Sequence, residues 1–283
     1  MKKLILHEDR FFDSDPAIRS VAAELYKKVS DLPIVSPHGH TNHQWFAENK
    51  PFSDPTDLIL IPDHYIFRML YSQGIPMESL GIPTVDGTSV ETDHRKIWQI
   101  FGENYYLYAG TPTGVWLNHE FYHVFGIREK LTGESAMRIY DQIDEKLKQP
   151  EFLPRAMFDR FNIEVLTTTD CATDTLQYHQ QIKNSGWSGN IVPCLRPDAV
   201  VNLLTPGWKN KIQVLGDLVG FEISSFEKYI QALEKRREFF KSMGAVSTDQ
   251  GVVSPYTHEL TAKEADVIFQ KALKGEVTAE END

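Results

Sequence analysis

Four short apolar runs, separated by amphipathic helical stretches, constrain this sequence more than any other feature. They are Leu32–His40, Asn162–Asp170, Asn190–Asp198 and Ala245–Asp249. Strand-like runs alternating with helices predict a parallel α/β architecture, because parallel neighbours need a crossover between them. Each run ends in polar or ionisable residues: His38 and His40, Asp170, Arg196 and Asp198, Asp249. Side chains gathered at the C-terminal ends of successive parallel strands are where α/β barrels build their sites. A closed barrel needs about eight strands, and four parallel strands leave two open edges. The pattern therefore predicts either a smaller open α/β fold or the front half of a longer barrel.

The connecting segments carry helix signals. Ser224-Ser-Phe-Glu227 reads as a capping box opening a helix with Phe226, Tyr229, Ile230, Leu233 and Phe240 on one face, stopped by Gly244 at its C-terminal end. Thr261-Ala-Lys-Glu264 repeats the box for a helix through Leu273. Lys235, Arg236 and Arg237 read as its neighbour's solvated face. About 120 residues separate the first two runs, far more than a βα unit needs. They are rich in aromatics and proline and predict a helical insertion domain at residues 44–155. Residues 1–43 would then hold an N-terminal segment and strand one, and residues 156–283 strands two to four.

Composition narrows the class of function. Of 283 residues, 29 are basic and 40 acidic, a net charge of −11. That balance argues against nucleic acid or an anionic membrane as the main partner, although one arginine can still bind an anionic small molecule. No run approaches the roughly 18 apolar residues of a membrane helix. The apolar stretch Leu4–Leu6 is too short for a signal peptide. Two cysteines, Cys171 and Cys194, make no disulfide framework; both lie in apolar runs, as buried thiols in a reducing compartment would. These features predict a cytoplasmic enzyme.

Residues i and i+2 of a strand point the same way, so His38 and His40 can converge on one metal ion. Ten histidines make an accidental pair at this spacing a chance of about one in three, so position at a strand end carries the weight. His43 is a possible third neighbour, more naturally the start of the next helix. Arg196-Pro197-Asp198 places a guanidinium at a strand end, where it could grip a carboxylate or phosphate through two parallel hydrogen bonds, or simply pair with Asp198. Thr168-Thr169-Asp170 and Ser247-Thr248-Asp249 offer site carboxylates or helix caps. Asp63 precedes a helical start, and the adjacent His64 and Tyr65 could supply a tuned acid or base, or pack as plain aromatics. His119-Glu-Phe-Tyr-His123 matches the zinc-protease H-E-x-x-H helix, with Glu129 where a third histidine would stand. Its apolar flanks Phe125 and Ile127 read as packing residues instead.

Taken in order, His38-Gly-His40, Asp63-His64-Tyr65, Thr168-Thr169-Asp170, Arg196-Pro197-Asp198 and Ser247-Thr248-Asp249 resemble the uronate (glucuronate) isomerase family of the amidohydrolase superfamily. The most specific pieces are the run from Asp63 to Ile75 and Thr167–Asp170. Phe125-Gly-Ile127 fits that family's helical insertion. The resemblance implies a distorted (β/α)8 TIM barrel of the metal-dependent hydrolase type, of which this chain holds strands one to four and the insertion. It implies an aldose–ketose isomerase converting D-glucuronate to D-fructuronate and D-galacturonate to D-tagaturonate through an enediol. His38 and His40 would be metal ligands for a divalent ion, zinc being the expected one. His64 and Tyr65 would serve proton transfer, and Arg196 would bind the hexuronate. A homo-oligomer is compatible with this reading. The family's strand-eight aspartate, a third metal ligand, has no counterpart here, and Gln250 follows Asp249 where the family often has histidine. Residues 1–283 alone are therefore expected to show little activity. A related metal-dependent hydrolase, or an inactive fragment, is the competing reading.

Overall fold

The computed structural model describes residues 2–251 and 258–283. In chain order its main helices are α1 (Pro16–Lys27), α2 (His43–Glu48), α3 (His64–Tyr71), α4 (His94–Glu103), α5 (Pro112–His119), α6 (Ala136–Leu147), α7 (Pro154–Arg160), α8 (Gln177–Asn184), α9 (Asp198–Val201), α10 (Trp208–Val219), α11 (Phe226–Ser242) and α12 (Ala262–Lys274). The chain divides into two compact units, Met1–Leu32 with Lys50–Met157, and Pro33–Asn49 with Phe158–Asp283.

The first unit is helical. Asp93 opens α4 by accepting from the backbone N–H groups of Arg95 and Lys96, the donors a helix start leaves unpaired. Ile97, Trp98 and Phe101 then share its buried face, packed on Ile139, Tyr140 and Ile143 of α6. The polar edges of these aromatics are satisfied: Trp98 Nε1 donates to the Ala136 carbonyl at 3.0 Å, and Tyr108 Oη to that of Ile66 at 2.8 Å.

The second unit holds the strands, all parallel. β1 (Ile34–Ser36), β2 (Ile163–Thr167) and β4 (Ile191–Val192) form one sheet in the order β1-β2-β4. β3 (Asp170–Cys171) pairs with β5 (Leu195–Arg196). Leu166, Thr168 and Asp170 donate in turn to the carbonyls of Asn190, Val192 and Cys194, so the second and third runs stay paired along their length. Pro193, which has no N–H, interrupts the regular ladder between β4 and β5. Spatial order follows chain order, as successive βα units winding one way require.

The fourth run is reduced from an expected strand to a single parallel bridge, Leu195 with Thr248, and one hydrogen bond from Asp249 N to the Leu195 carbonyl. The run is short, and its Asp249 side chain is turned to Arg196 and His38, as described below. β1 pairs with β2, and its Ile34 and Val35 side chains are exposed.

Two details differ from the sequence reading. α11 is capped by Ser225, which accepts from Lys228 N, so the cap lies one residue later than the Ser224 box predicts; the Phe226 N–H goes to Asp266 instead. Arg236 is not on a solvated face but buried, 5% exposed, while Arg237 beside it is exposed. The predicted box Thr261/Glu264 does open α12, and Gly244, at φ +107°, follows the end of α11. No helix among the described residues is long and apolar enough to cross a membrane.

Candidate metal and carboxylate site

β1 ends at Ser36, and His38-Gly39-His40 forms the turn that leads into α2. Glycine is needed in the middle because the turn lies against the end of β2. A Cβ on Gly39 would meet the Thr167 carbonyl oxygen at 3.0 Å. Thr169 Oγ1 donates to the Gly39 carbonyl at 2.7 Å and pins the turn from the second run. Held this way, the His38 and His40 rings stand at 85° to each other with their Nε2 atoms 3.1 Å apart. Two nitrogens bound about 2.0–2.1 Å from one tetrahedral ion are separated by roughly 3.3 Å. The pair is therefore set for chelation with little movement, and its position is open, His38 being 53% exposed at the side chain.

Arg196, at the end of β5, belongs to the same constellation. Its Nε donates to Asp198 Oδ2 at 2.6 Å and its Nη1 to Asp249 Oδ2 at 3.2 Å. Asp249 Oδ2 also lies 3.6 Å from His38 Nδ1. One carboxylate thus sits between the guanidinium and the first imidazole. Asp198, with Asp249 adding to it, raises the proton affinity of the Arg196 guanidinium and keeps it cationic. The Arg196–Asp198 ion pair and the strand-end placement occur together.

Beneath the turn lies a group that the sequence disclosed only in part. Asp170, His43 and His179 offer ligand atoms that all lie within 4.8 Å of one another, so this His–Asp–His group could bind a metal ion. His43 does begin α2, as predicted, but its Nδ1 faces Asp170 Oδ1 at 3.2 Å. Asp170 Oδ2 accepts from Thr168 Oγ1 at 2.7 Å and from Cys194 N at 3.2 Å, and Thr168 Oγ1 is 2.8 Å from His179 Nε2. Burial pushes the Asp170 carboxyl up, but His43, Thr168 and His179 outweigh it and hold the group below the usual carboxylate range. Burial pulls His179 below an ordinary histidine. The sequence signal for His179 was its spacing of three from Ile182, which places both on the buried face of α8.

In the helical unit, Asp63 caps α3 by accepting from Tyr65 N at 2.8 Å, and the rings of His64 and Tyr65 lie 4.2 Å apart. Tyr65 is exposed. The H-E-x-x-H segment spans the end of α5 and a π-helical turn over Glu120–Val124. Its flanks Phe121, Phe125 and Ile127 are buried. Glu129 is paired with Arg138 at 2.7 Å, and His119 Nδ1 meets Arg10 Nη2 at 3.2 Å; among the described residues no third metal ligand joins His119 and His123.

The profile of the glucuronate isomerase family matches residues 6–283. The chain belongs to that family. It is 50% identical over 277 residues to a uronate isomerase of Nostoc punctiforme, covering 98% of this chain and 58% of that protein. A uronate isomerase of Xanthomonas euvesicatoria is 47% identical, with 98% and 59% covered. Among solved structures, the glucuronate isomerase of Caulobacter crescentus superposes with a TM-score of 0.94 at 44% identity, over 99% of this chain and 58% of that one. The uronate isomerase of Thermotoga maritima gives 0.86 at 27% identity, over 98% and 58%. The family's α/β fold is thereby established, and the chain spans less than two thirds of each relative's length.

Proposed function

We propose that this chain carries the uronate-reading part of an aldose–ketose isomerase that interconverts D-glucuronate and D-fructuronate, and D-galacturonate and D-tagaturonate. The observation that carries the proposal is Asp249 lying between Arg196 and His38, with His40 beside His38, in a chain of the glucuronate isomerase family. In this reading the parallel strands are the first part of a (β/α)8 barrel, with a helical insertion between strands one and two.

His38 and His40 would hold a divalent ion, zinc fitting two imidazole donors. When bound, such an ion supplies an electrophile for the sugar carbonyl oxygen, where negative charge develops as the enediol forms. The chain's own groups do the rest. Arg196 presents a guanidinium already oriented by Asp198 and Asp249, ready to grip the hexuronate carboxylate. Asp249 lies 3.6 Å from His38 Nδ1, on the side of the ring away from the Nε2 that would ligate. His64 and Tyr65 are assigned to moving the proton between C2 and C1, Tyr65 with its phenol exposed. In this reading the enzyme works in the cytoplasm.

Thermal unfolding in the presence of zinc tests this reading. D-glucuronate should raise the melting temperature and D-glucose should not, and Arg196→Ala should erase the difference. Equal shifts by both sugars, or none by either, would refute a carboxylate-reading site.

A further inference from the structure

The group beneath the H-x-H turn leaves two buried atoms without an aligned hydrogen bond, Asp170 Oδ1 and His179 Nδ1. Proton accounting shows why. Asp170 is a carboxylate and only accepts, so the single hydroxyl proton of Thr168 goes to its Oδ2 at 2.7 Å. Thr168 Oγ1 must then accept from His179 Nε2 at 2.8 Å. A neutral His179 with its proton on Nε2 has a bare lone pair on Nδ1. The Cys194 N–H also occupies Oδ2, which leaves Oδ1 as the carboxylate's open oxygen. His43 Nδ1 lies 3.2 Å from that oxygen.

His43, Asp170 and His179 offer ligand atoms that lie within 4.8 Å of one another, all three side chains largely shielded from solvent. The Asp170 side chain is fully buried, that of His179 is 2% exposed and that of His43 19%. A buried carboxylate oxygen with no aligned donor is a costly arrangement unless a cation meets it.

We propose that His43, Asp170 and His179 form a second metal site, one that takes a zinc-like divalent cation and shares no residue with the His38/His40 pair. Two imidazoles and one carboxylate are donors of the kind zinc takes, with a fourth position left to water. The His43–Asp170 separation of 3.2 Å already matches the roughly 3.3 Å edge of a tetrahedral ion, and the His43 and His179 ring centres are 4.7 Å apart. Thr168 supplies the outer shell such sites use: His179 donates its remote N–H to the hydroxyl, and the hydroxyl donates to the carboxylate's second oxygen. The three ligands come from α2, β3 and α8, so the ion would tie together elements distant in sequence and act as a structural clamp. The half-buried edge of His43 is its way in.

The site is tested on the full chain by zinc titration calorimetry and by counting metal per chain, independently of any isomerase assay. The variant His38→Ala/His40→Ala should still bind one zinc per chain and melt at a higher temperature with zinc than without. Adding His43→Ala to it should weaken that zinc by more than the roughly 10–100-fold that loss of an outer-shell partner costs. Because His43 is partly exposed, this variant should keep the wild-type circular dichroism, which Asp170→Asn need not do. Thr168→Val should weaken zinc without removing it. If His38→Ala/His40→Ala binds no zinc while folded, or binds it equally well with His43→Ala, the group is a protonated histidine paired with a carboxylate and the proposal fails.

Discussion

Arg236 offers a sharp test of how the strand ends are held in place. From α11 its Nε donates to the Ala172 carbonyl at 2.8 Å and its Nη2 to the Asp174 carbonyl at 2.5 Å, so it closes the loop that leaves β3. Its guanidinium lies 4.3 Å from the Phe239 ring centre and 5.6 Å from that of Phe240. Arg236→Ala would strip buried carbonyls of their donors, at about 1–3 kcal/mol each, and remove a cation–π contact of about 1 kcal/mol. Release of a charge whose burial already lowers its proton affinity offsets part of that loss. A net destabilisation of about 3 kcal/mol remains. At roughly 2.1 cal/mol/K of unfolding entropy per residue, the melting point should fall by about 5 °C if the chain melts as one, and about twice that if the unit containing α11 melts separately. Arg237→Ala, on the exposed face of the same turn, should stay within about 0.5 kcal/mol of wild type. Thermal unfolding followed by circular dichroism measures both variants. Equal melting points for Arg236→Ala and Arg237→Ala would refute the argument that the buried guanidinium holds the loop.

Other perturbations follow from the same reasoning. Burial, with the Asp63 charge second, pushes the Glu120 carboxyl up to about 7, well above the ordinary carboxylate range. The folded state therefore holds that proton more tightly than the unfolded state, and this group's contribution to stability falls as pH rises from about 4.5 to about 7. Glu120→Gln should accordingly gain about 1–3 kcal/mol over wild type at pH 8 and almost nothing at pH 4 in urea unfolding; equal gains at both would contradict it. Gly39→Val should weaken zinc binding at His38/His40 in titration calorimetry, because its side chain would collide with the Thr167 carbonyl. His119→Ala/His123→Ala should leave the zinc count of the chain unchanged, and a lost zinc would revive the protease-like reading of that helix.

Much of this was legible in the residues themselves. The parallel pairing of the first three runs followed from their alternation with helices, and the second box from Thr261 and Glu264. Placement of Arg196 beside Asp198 and Asp249 could be read only as a set of options, because a strand-end arginine satisfies an ion pair and a ligand site alike. Arg236 was misread since a run of three basic residues looks solvated; helical geometry turns its middle member inward while Arg237 faces out. The group at Asp170 was legible only in part, His43 and Asp170 as separate candidates and His179 not at all, because positions 43, 170 and 179 share no local spacing. The fourth strand shrank to a bridge because a run of five residues ending in a charged side chain has little ladder to offer.

Coupling between metal and sugar acid tests the central account most directly. D-glucuronate would be titrated into the wild-type chain with and without zinc, and into His38→Ala/His40→Ala under both conditions. The account predicts that zinc tightens glucuronate binding by about tenfold or more, some 1.4 kcal/mol, in wild type and does nothing in the double variant. Glucuronate affinity that ignores zinc in the wild-type chain, or zinc enhancement that survives the loss of both histidines, would contradict it.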